Sequence, residues 1–185
     1  GIYARRYSAA GVAQGAEFLV NTTTAGSQLT SAIAMAPGGA FVITWGSPQD
    51  PDASSGIYAQ LFNGSGAAQG GEFRINTYTT GTQQLSSVSM DASGNFVVTW
   101  ASNLQDGSSY GVYGQRFDAS GAAQGAEFQV NTITANSQLY NDVAMLPDGR
   151  FVVVYQSGNG SGNLDLYMQR YASDGTAVGG AIQIN

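Results

Sequence analysis

Short apolar runs alternate with turn residues along the whole chain, and the runs return in register. Phe41-Val42-Ile43-Thr44-Trp45 is followed by Phe96-Val97-Val98-Thr99-Trp100 and by Phe151-Val152-Val153-Val154-Tyr155, at a spacing of 55 residues. Successive side chains of a strand point to opposite faces, so Phe41, Ile43 and Trp45 share one face and Val42 and Thr44 the other. Both faces are largely apolar, which predicts a strand covered on both sides. Three further strands complete the unit. One precedes this run (Ala32–Met35, with copies Val88–Met90 and Val143–Met145), and two follow it (Ile57–Phe62, then Glu72–Asn76). Ser93-Gly94 and Asp148-Gly149 suit tight hairpins, because Gly tolerates positive φ. No stretch with a period of 3.6 carries caps at both ends, so no helix is expected.

Four antiparallel strands repeated at this period are the pattern of a β-propeller blade. The expected architecture is all-β, a propeller-like array of four-stranded antiparallel blades. Residues 1–22 give a half-blade, and 23–76, 77–131 and 132–185 give three full ones, within a single repeat domain over 1–185. The alternative is a β-sandwich, which also uses short strands and frequent turns. The strict repeat favours the propeller. Three and a half blades fall short of the usual four, and the half-blade has no first and second strands. Apolar faces would stay open. The expectation is an ordered piece of a longer propeller, or a chain whose open blade faces are covered by other protein chains.

Composition narrows the chemistry. The chain is 43% apolar and 10% charged, with 26 Gly and a net charge of −6. All six basic residues are Arg. The basic surface that nucleic acid needs is missing, and attraction to an anionic membrane is disfavoured. No apolar run approaches the ~20 residues of a membrane span. No signal peptide opens the chain, which starts inside a repeat unit, as a mature or trimmed piece would. There is no Cys, hence no disulfide framework or thiolate site. With neither His nor Lys, a Ser–His or Ser–Lys nucleophile is excluded.

The words FVVTW, the turn around Gln105-Asp106-Gly107-Ser108, GVYGQRFDASG and GAEFQVNT span the repeat. In these the chain resembles tandem repeats of large secreted bacterial surface proteins, RTX-type exoproteins and adhesins. The resemblance implies an exported, extracellular or cell-surface protein and names no reaction. The calcium nonapeptide of RTX proteins is absent. Ser89-Met90-Asp91 through Gly94 is similar to the Asp-box hairpin of sialidase-type propellers in turn chemistry only.

Three sets of residues are candidates for function. Asp50 and Asp52, Asp106, and Asn159 with Asp165 occupy equivalent loops between the second and third strands. They leave calcium open as a ligand, although none has EF-hand spacing. No other cofactor is expected. Glycoside hydrolysis needs two carboxylates about 5–9 Å apart. Glu17, Glu72 and Glu127 recur once per unit, whereas a catalytic residue occurs once, so this lane reads as an edge-protecting charge. Asp142 and Asp165 do not recur, but the sequence supplies no partner for either. Gln60, Gln115 and Gln169 recur with Arg116 and Arg170 beside them. Planar amides and guanidinium groups can read sugar hydroxyls or carboxylates, so these five are the candidate ligand-binding residues. Trp45 and Trp100 could stack on a sugar, but their apolar lane points to the core. These residues predict no enzyme, and a non-catalytic surface module with a structural, adhesive or accessory role. A lectin-like propeller is the alternative, and a glycoside hydrolase fragment comes after it.

Overall fold

The computed structural model describes residues 1–185 apart from Ala53, Asn159 and Ser161. Within each sheet the strands pair antiparallel with their chain neighbours. β1 (Tyr3–Ala4) and β2 (Phe18–Leu19) form a two-stranded ribbon. β3 (Leu29–Met35), β4 (Phe41–Ser47), β5 (Gly56–Phe62) and β6 (Ala68–Arg74) form the first full blade. β7 (Gln83–Met90), β8 (Phe96–Asn103), β9 (Tyr110–Phe117) and β10 (Phe128–Gln129) form the second. β11 (Gln138–Met145), β12 (Phe151–Gly158), β13 (Leu164–Tyr171) and β14 (Ala177–Gln183) form the third. No helix occurs among the described residues. The innermost strands β3, β7 and β11 lie side by side, so the sheets stack in chain order about one line. This is the propeller arrangement and not the two-layer sandwich.

The period-two reading places the apolar faces correctly. Phe41, Ile43 and Trp45 pack on Ile2 and Val20 of the half-blade, while Val42 turns to the second blade. Val97 and Val112 meet Val143, Phe151 and Tyr155 at the next seam. The three Phe residues are equivalent. Each stacks on an aromatic ring of its own third strand: Phe41 on Phe62 at 4.9 Å, Phe96 on Phe117 at 5.0 Å, Phe151 on Tyr171 at 4.6 Å. Trp45 and Trp100 are fully buried, so they are core and not stacking platforms. Each fully buried large side chain stabilises by about 1.5–3 kcal/mol, and these seams hold most of them.

The structure differs from the sequence reading at two bulges per blade. The innermost strands begin earlier than expected, and their pairing slips between Leu29 and Ala32, Gln84 and Ser87, and Leu139 and Asp142. Thr30, Leu85 and Tyr140 sit in the slips with φ of 50°, 57° and 50°. A bulge breaks the alternation on which strand reading depends. In the outer strand, Leu61 pairs with Gln69 but Ala59 pairs with Phe73, so Gly70, Gly71 and Glu72 loop out. The fourth strand of the first blade therefore runs Ala68–Arg74 rather than Glu72–Asn76.

A buried polar bracket ties each outer strand to the next blade. Asn76 Oδ1 accepts the Ile57 N–H at 2.7 Å, and Asn131 Oδ1 accepts the Val112 N–H at 2.8 Å. Their amide groups donate onward to Gln83 Oε1 at 3.3 Å and Gln138 Oε1 at 3.1 Å, at the start of the next innermost strand. Buried polar groups must be paired, which accounts for the recurring Asn and Gln. The half-blade has no innermost strand, and the effect is local. Ile33 is 57% exposed, whereas its counterparts Val88 and Val143 are each 7% exposed.

Candidate functional site

The glutamines singled out for ligand binding are buried pins. Gln60 donates to the carbonyls of Leu61 at 2.9 Å and of Gln69 and Gly70 at 3.3 Å. Gln115 donates to Arg116 and Gly125, and Gln169 to Arg170 and Gly179, at 2.9–3.1 Å. Each fills the hole left by the outer-strand bulge and satisfies the carbonyls that the slip releases. Arg5 does the same in the half-blade, donating to the Gly15 carbonyl at 3.2 Å. The three glutamines are at most 3% exposed, so no ligand in solvent reaches their amides. This corrects their reading as ligand-binding residues.

Arg116 and Arg170 part company. The Arg116 guanidinium donates to the Asp174 carbonyl of the next blade. It also lines a cleft of about 370 Å³ between the second and third blades, with Asp91, Asp118 and Asp148. Arg170 is exposed on the outer face of the third blade, beside an apolar groove of about 350 Å³ formed with Phe151, Tyr171 and Val178. The five residues do not converge on one pocket.

Two members of the recurring Glu lane, Glu72 and Glu127, are not edge charges either, while Glu17 is exposed. The bulge throws Glu72 toward the preceding ribbon, where it accepts the Thr22 N–H at 2.7 Å and the Thr23 N–H at 3.3 Å. Glu127 accepts the Thr77 N–H at 2.7 Å. Burial pushes the Glu72 carboxyl up, and the Thr23 and Thr22 donors outweigh it and hold it below its usual range.

Three of the loop acids, Asp50, Asp52 and Asp106, are taken by protein donors. Asp50 is buried and accepts the Tyr58 hydroxyl at 3.0 Å and the Asn76 amide at 2.9 Å. Burial raises its pKa against the opposing effect of these donors, and burial with the Asp50 charge pushes Tyr58 up to about 12. Asp106 accepts from Asn131 at 3.1 Å, and Asp52 from Gly81 at 3.0 Å. Asn159 lies outside the described residues. Among those described, no three Asp, Glu, His or Cys side chains come together to hold a metal ion. Asp91 accepts the Ser93 and Asn95 N–H groups at 2.8 and 2.9 Å, which is turn chemistry.

Where the blades stop repeating is the axial rim. The three inner-strand bulges read Thr30-Ser31-Ala32, Leu85-Ser86-Ser87 and Tyr140-Asn141-Asp142. A residue with positive φ other than Gly costs about 1–2 kcal/mol, and bulges re-aim side chains beside functional sites. Tyr140 stands 62% exposed. Asn141 is buried, its amide donates to Thr99 Oγ1 at 2.8 Å, and its Oδ1 has no protein partner. Asp142 Oδ1 accepts the Ser87 hydroxyl at 2.6 Å and its neighbour's N–H, that of Val143, at 2.9 Å. The segment thus sets an exposed aromatic ring and an anchored carboxylate on either side of a buried amide. Asp142 is the one acid on the three innermost strands. The sequence reading named Asp142 without a partner and missed Tyr140 and Asn141. Their signal is departure from the repeat, not conformity to it.

Neither a family model nor a curated protein matches the chain. Solved structures do. An endo-arabinase from Bacteroides thetaiotaomicron VPI-5482 is similar with a TM-score of 0.54 at 14% identity, over 94% of this chain and 68% of its own. An α-L-arabinofuranosidase from Lactobacillus brevis is similar with a TM-score of 0.53 at 15% identity, over 90% of this chain and 58% of its own. The likeness is one of fold. It overturns the expectation of a non-catalytic module without enzyme activity, which rested on carboxylates that recur in every unit and on the lack of His and Lys. Both neighbours carry the blades as enzymes.

Proposed function

We propose that this chain belongs to a glycoside hydrolase that acts on an arabinan-type polysaccharide, with the sugar held at the axial rim of the third blade. The observation that carries this reading is the rim segment Tyr140-Asn141-Asp142, the one inner-strand bulge with an aromatic ring and a carboxylate. The names of the two structural neighbours, an endo-arabinase and an α-L-arabinofuranosidase, support the substrate class. The chain spans 68% and 58% of their lengths, so the activity of a whole enzyme is part of the proposal.

In this reading the apolar C–H face of a sugar ring packs on Tyr140, whose polar hydroxyl stays in water. Asn141 lies buried beneath the ring and fixes the segment by donating to Thr99 Oγ1. Ser87 holds Asp142 in one rotamer, as a catalytic carboxylate requires. Hydrolysis needs a second carboxylate about 5–9 Å away. The innermost strands hold no other acid, so that group comes from a loop or from a further blade. An exported protein would meet such a polymer, in keeping with the likeness to secreted bacterial repeats. No helix among the described residues is long and apolar enough to cross a membrane.

The test is release of reducing ends from arabinan and of the leaving group from an aryl arabinofuranoside. Wild-type protein is expected to release both or one of them, and Asp142→Asn to lower the rate by about 10²–10⁴. Asp148→Asn, an exposed acid at the opposite hairpin end, is expected to leave it unchanged. No release by the wild type, or an unaffected Asp142→Asn, overturns the proposal.

A further inference from the structure

Two clefts open at the hairpin end of the blades, one in each seam between full blades, and the same positions line both. The first, of about 320 Å³, lies between the first and second blades. The second, of about 370 Å³, lies between the second and third. Phe41 and Phe62 line the first where Phe96 and Phe117 line the second, with Met90 and Met145 across from them. The remaining wall differs. Ala40, Leu61 and Asn63 of the first cleft are Asn95, Arg116 and Asp118 in the second, and Asp91 replaces Ala36. The first cleft shows that a seam closes without these polar groups.

The polar groups of the second cleft are fixed and keep bonding capacity to spare. Asp91 is 6% exposed, and its Oδ2 accepts the Asn95 amide at 2.7 Å. With that nitrogen engaged, Asn95 Oδ1 is a spare acceptor. Asp118 Oδ1 accepts the Ser120 and Ala122 N–H groups at 2.9 and 3.0 Å, while its Oδ2 meets Gln124 Nε2 at a long 3.4 Å. The Ser120 hydroxyl and the Ala122 N–H hold the Asp118 carboxyl below its usual range, so it stays an acceptor at neutral pH. Arg116 is seated by Nη1, which donates to the Asp174 carbonyl and which a Cβ at Gly175 would meet at 2.7 Å. Among the described residues its Nε and Nη2 donate to no acceptor. Asp148 also stands on the wall, but Arg150 takes its carboxylate, through N–H at 3.1 Å and Nε at 2.8 Å.

We infer that the cleft between the second and third blades binds a neutral sugar unit, with Asn95 and Asp118 accepting from its hydroxyls and Arg116 donating to one of them. A hydroxyl is both donor and acceptor, so a sugar suits a wall that mixes the two. The Asp91 and Asp118 charges disfavour an anion. Arg116 disfavours a cation, and among the described residues no three acids come together to hold a metal ion. The volume sits at the lower end of the about 300–1,000 Å³ of small-ligand sites, which suits a short sugar segment. The cleft lies at the opposite end of β11 from Tyr140, roughly 15 Å along the strand. It is therefore a hold on a glycan separate from the axial rim, and it does not need hydrolysis there.

The first cleft supplies the test substitutions. Arg116→Leu with Asp118→Asn gives the second cleft residues that the first already carries. Leu61 packs against the Gly121 turn there, and Asn63 Oδ1 accepts the Ser65 and Ala67 N–H groups as Asp118 accepts those of Ser120 and Ala122. Asn95→Ala, which copies Ala40, is an independent second variant, and unfolding midpoints check that both proteins are folded. Amide NMR shifts read the cleft and the rim separately during titration with short arabinan, xylan and β-glucan oligosaccharides. Saturable shifts are expected at Ser93, Asn95 and Ser120 with at least one of these probes, and are expected to persist in Tyr140→Ala. Both cleft variants are expected to weaken that binding about tenfold or more. Shifts at the cleft without shifts at Tyr140 would support this inference while removing the rim reading. No saturable shift at the cleft with any probe, or binding there that both cleft variants leave unchanged, overturns the inference.

Discussion

The carboxylate of Glu72 accepts the backbone N–H of Thr22 at 2.7 Å, across the seam between the half-blade and the first full blade. Glu127 and Thr77 repeat the contact one blade later at the same distance. The outer-strand bulge makes this possible, because it swings Glu72 out of the ladder. That bulge is in turn held open by Gln60.

Glu72 should therefore leave a pH signature. Its folded pKa lies below the ordinary value of 4.5, since the Thr donors outweigh the effect of burial. A carboxyl depressed on folding contributes stability that is present above its unfolded pKa and is lost as pH falls through the folded one. Glu72→Gln is expected to remove that part of the acid slope while keeping an acceptor for Thr22. The check is the urea midpoint of both proteins between about pH 6 and pH 3. Asp118, Asp148 and Asp174 are also depressed and slope the same way in both proteins, so the difference between the curves isolates Glu72.

Removing a pin should cost stability without touching sugar chemistry. Gln115→Ala leaves the Gly125 carbonyl without its side-chain donor inside the bulge. The expected loss is about 1–3 kcal/mol, the cost of an unpaired buried group, read from chemical denaturation. Activity of the folded fraction is expected to be unchanged.

The stacked Phe lane is the mechanical core. Phe96→Ala opens a cavity between Phe117 and the first-blade side chains of the seam. The expected loss is about 3–5 kcal/mol. Phe41→Ala and Phe151→Ala should fall in the same range, since their rings occupy equivalent stacks. Denaturation midpoints of the three variants check the equivalence.

How much was legible in the sequence follows from what each element obeys. Phe41 to Trp45 alternate between two covered faces, and period two reads that directly. The turn at Asp91 and Gly94 announces itself through local hydrogen bonds and positive φ. Leu85 and Tyr140 do not, because no residue preference marks a strand side chain forced to φ near 50°. Gln60 looked like surface because its counterparts recur beside Arg116 and Arg170. Its burial depends on the register slip between Ala59 and Leu61, a pairing between strands that no single run reveals. The site was hidden for the opposite reason. Repetition drew the reading to residues that every blade shares, while the proposed rim residues Tyr140, Asn141 and Asp142 are ones that the other blades lack.

The most direct measurement of the central claim is sugar binding at the rim, separate from turnover. Isothermal titration of an arabino-oligosaccharide into wild-type protein is expected to give saturable binding. Tyr140→Ala, which removes a 62% exposed ring and no core contact, is expected to weaken it by about tenfold. Gln60→Ala, on the third strand of the first blade, is expected to leave the affinity of the folded protein alone. Absence of binding, or equal affinity in wild type and Tyr140→Ala, would contradict a glycan site at the axial rim.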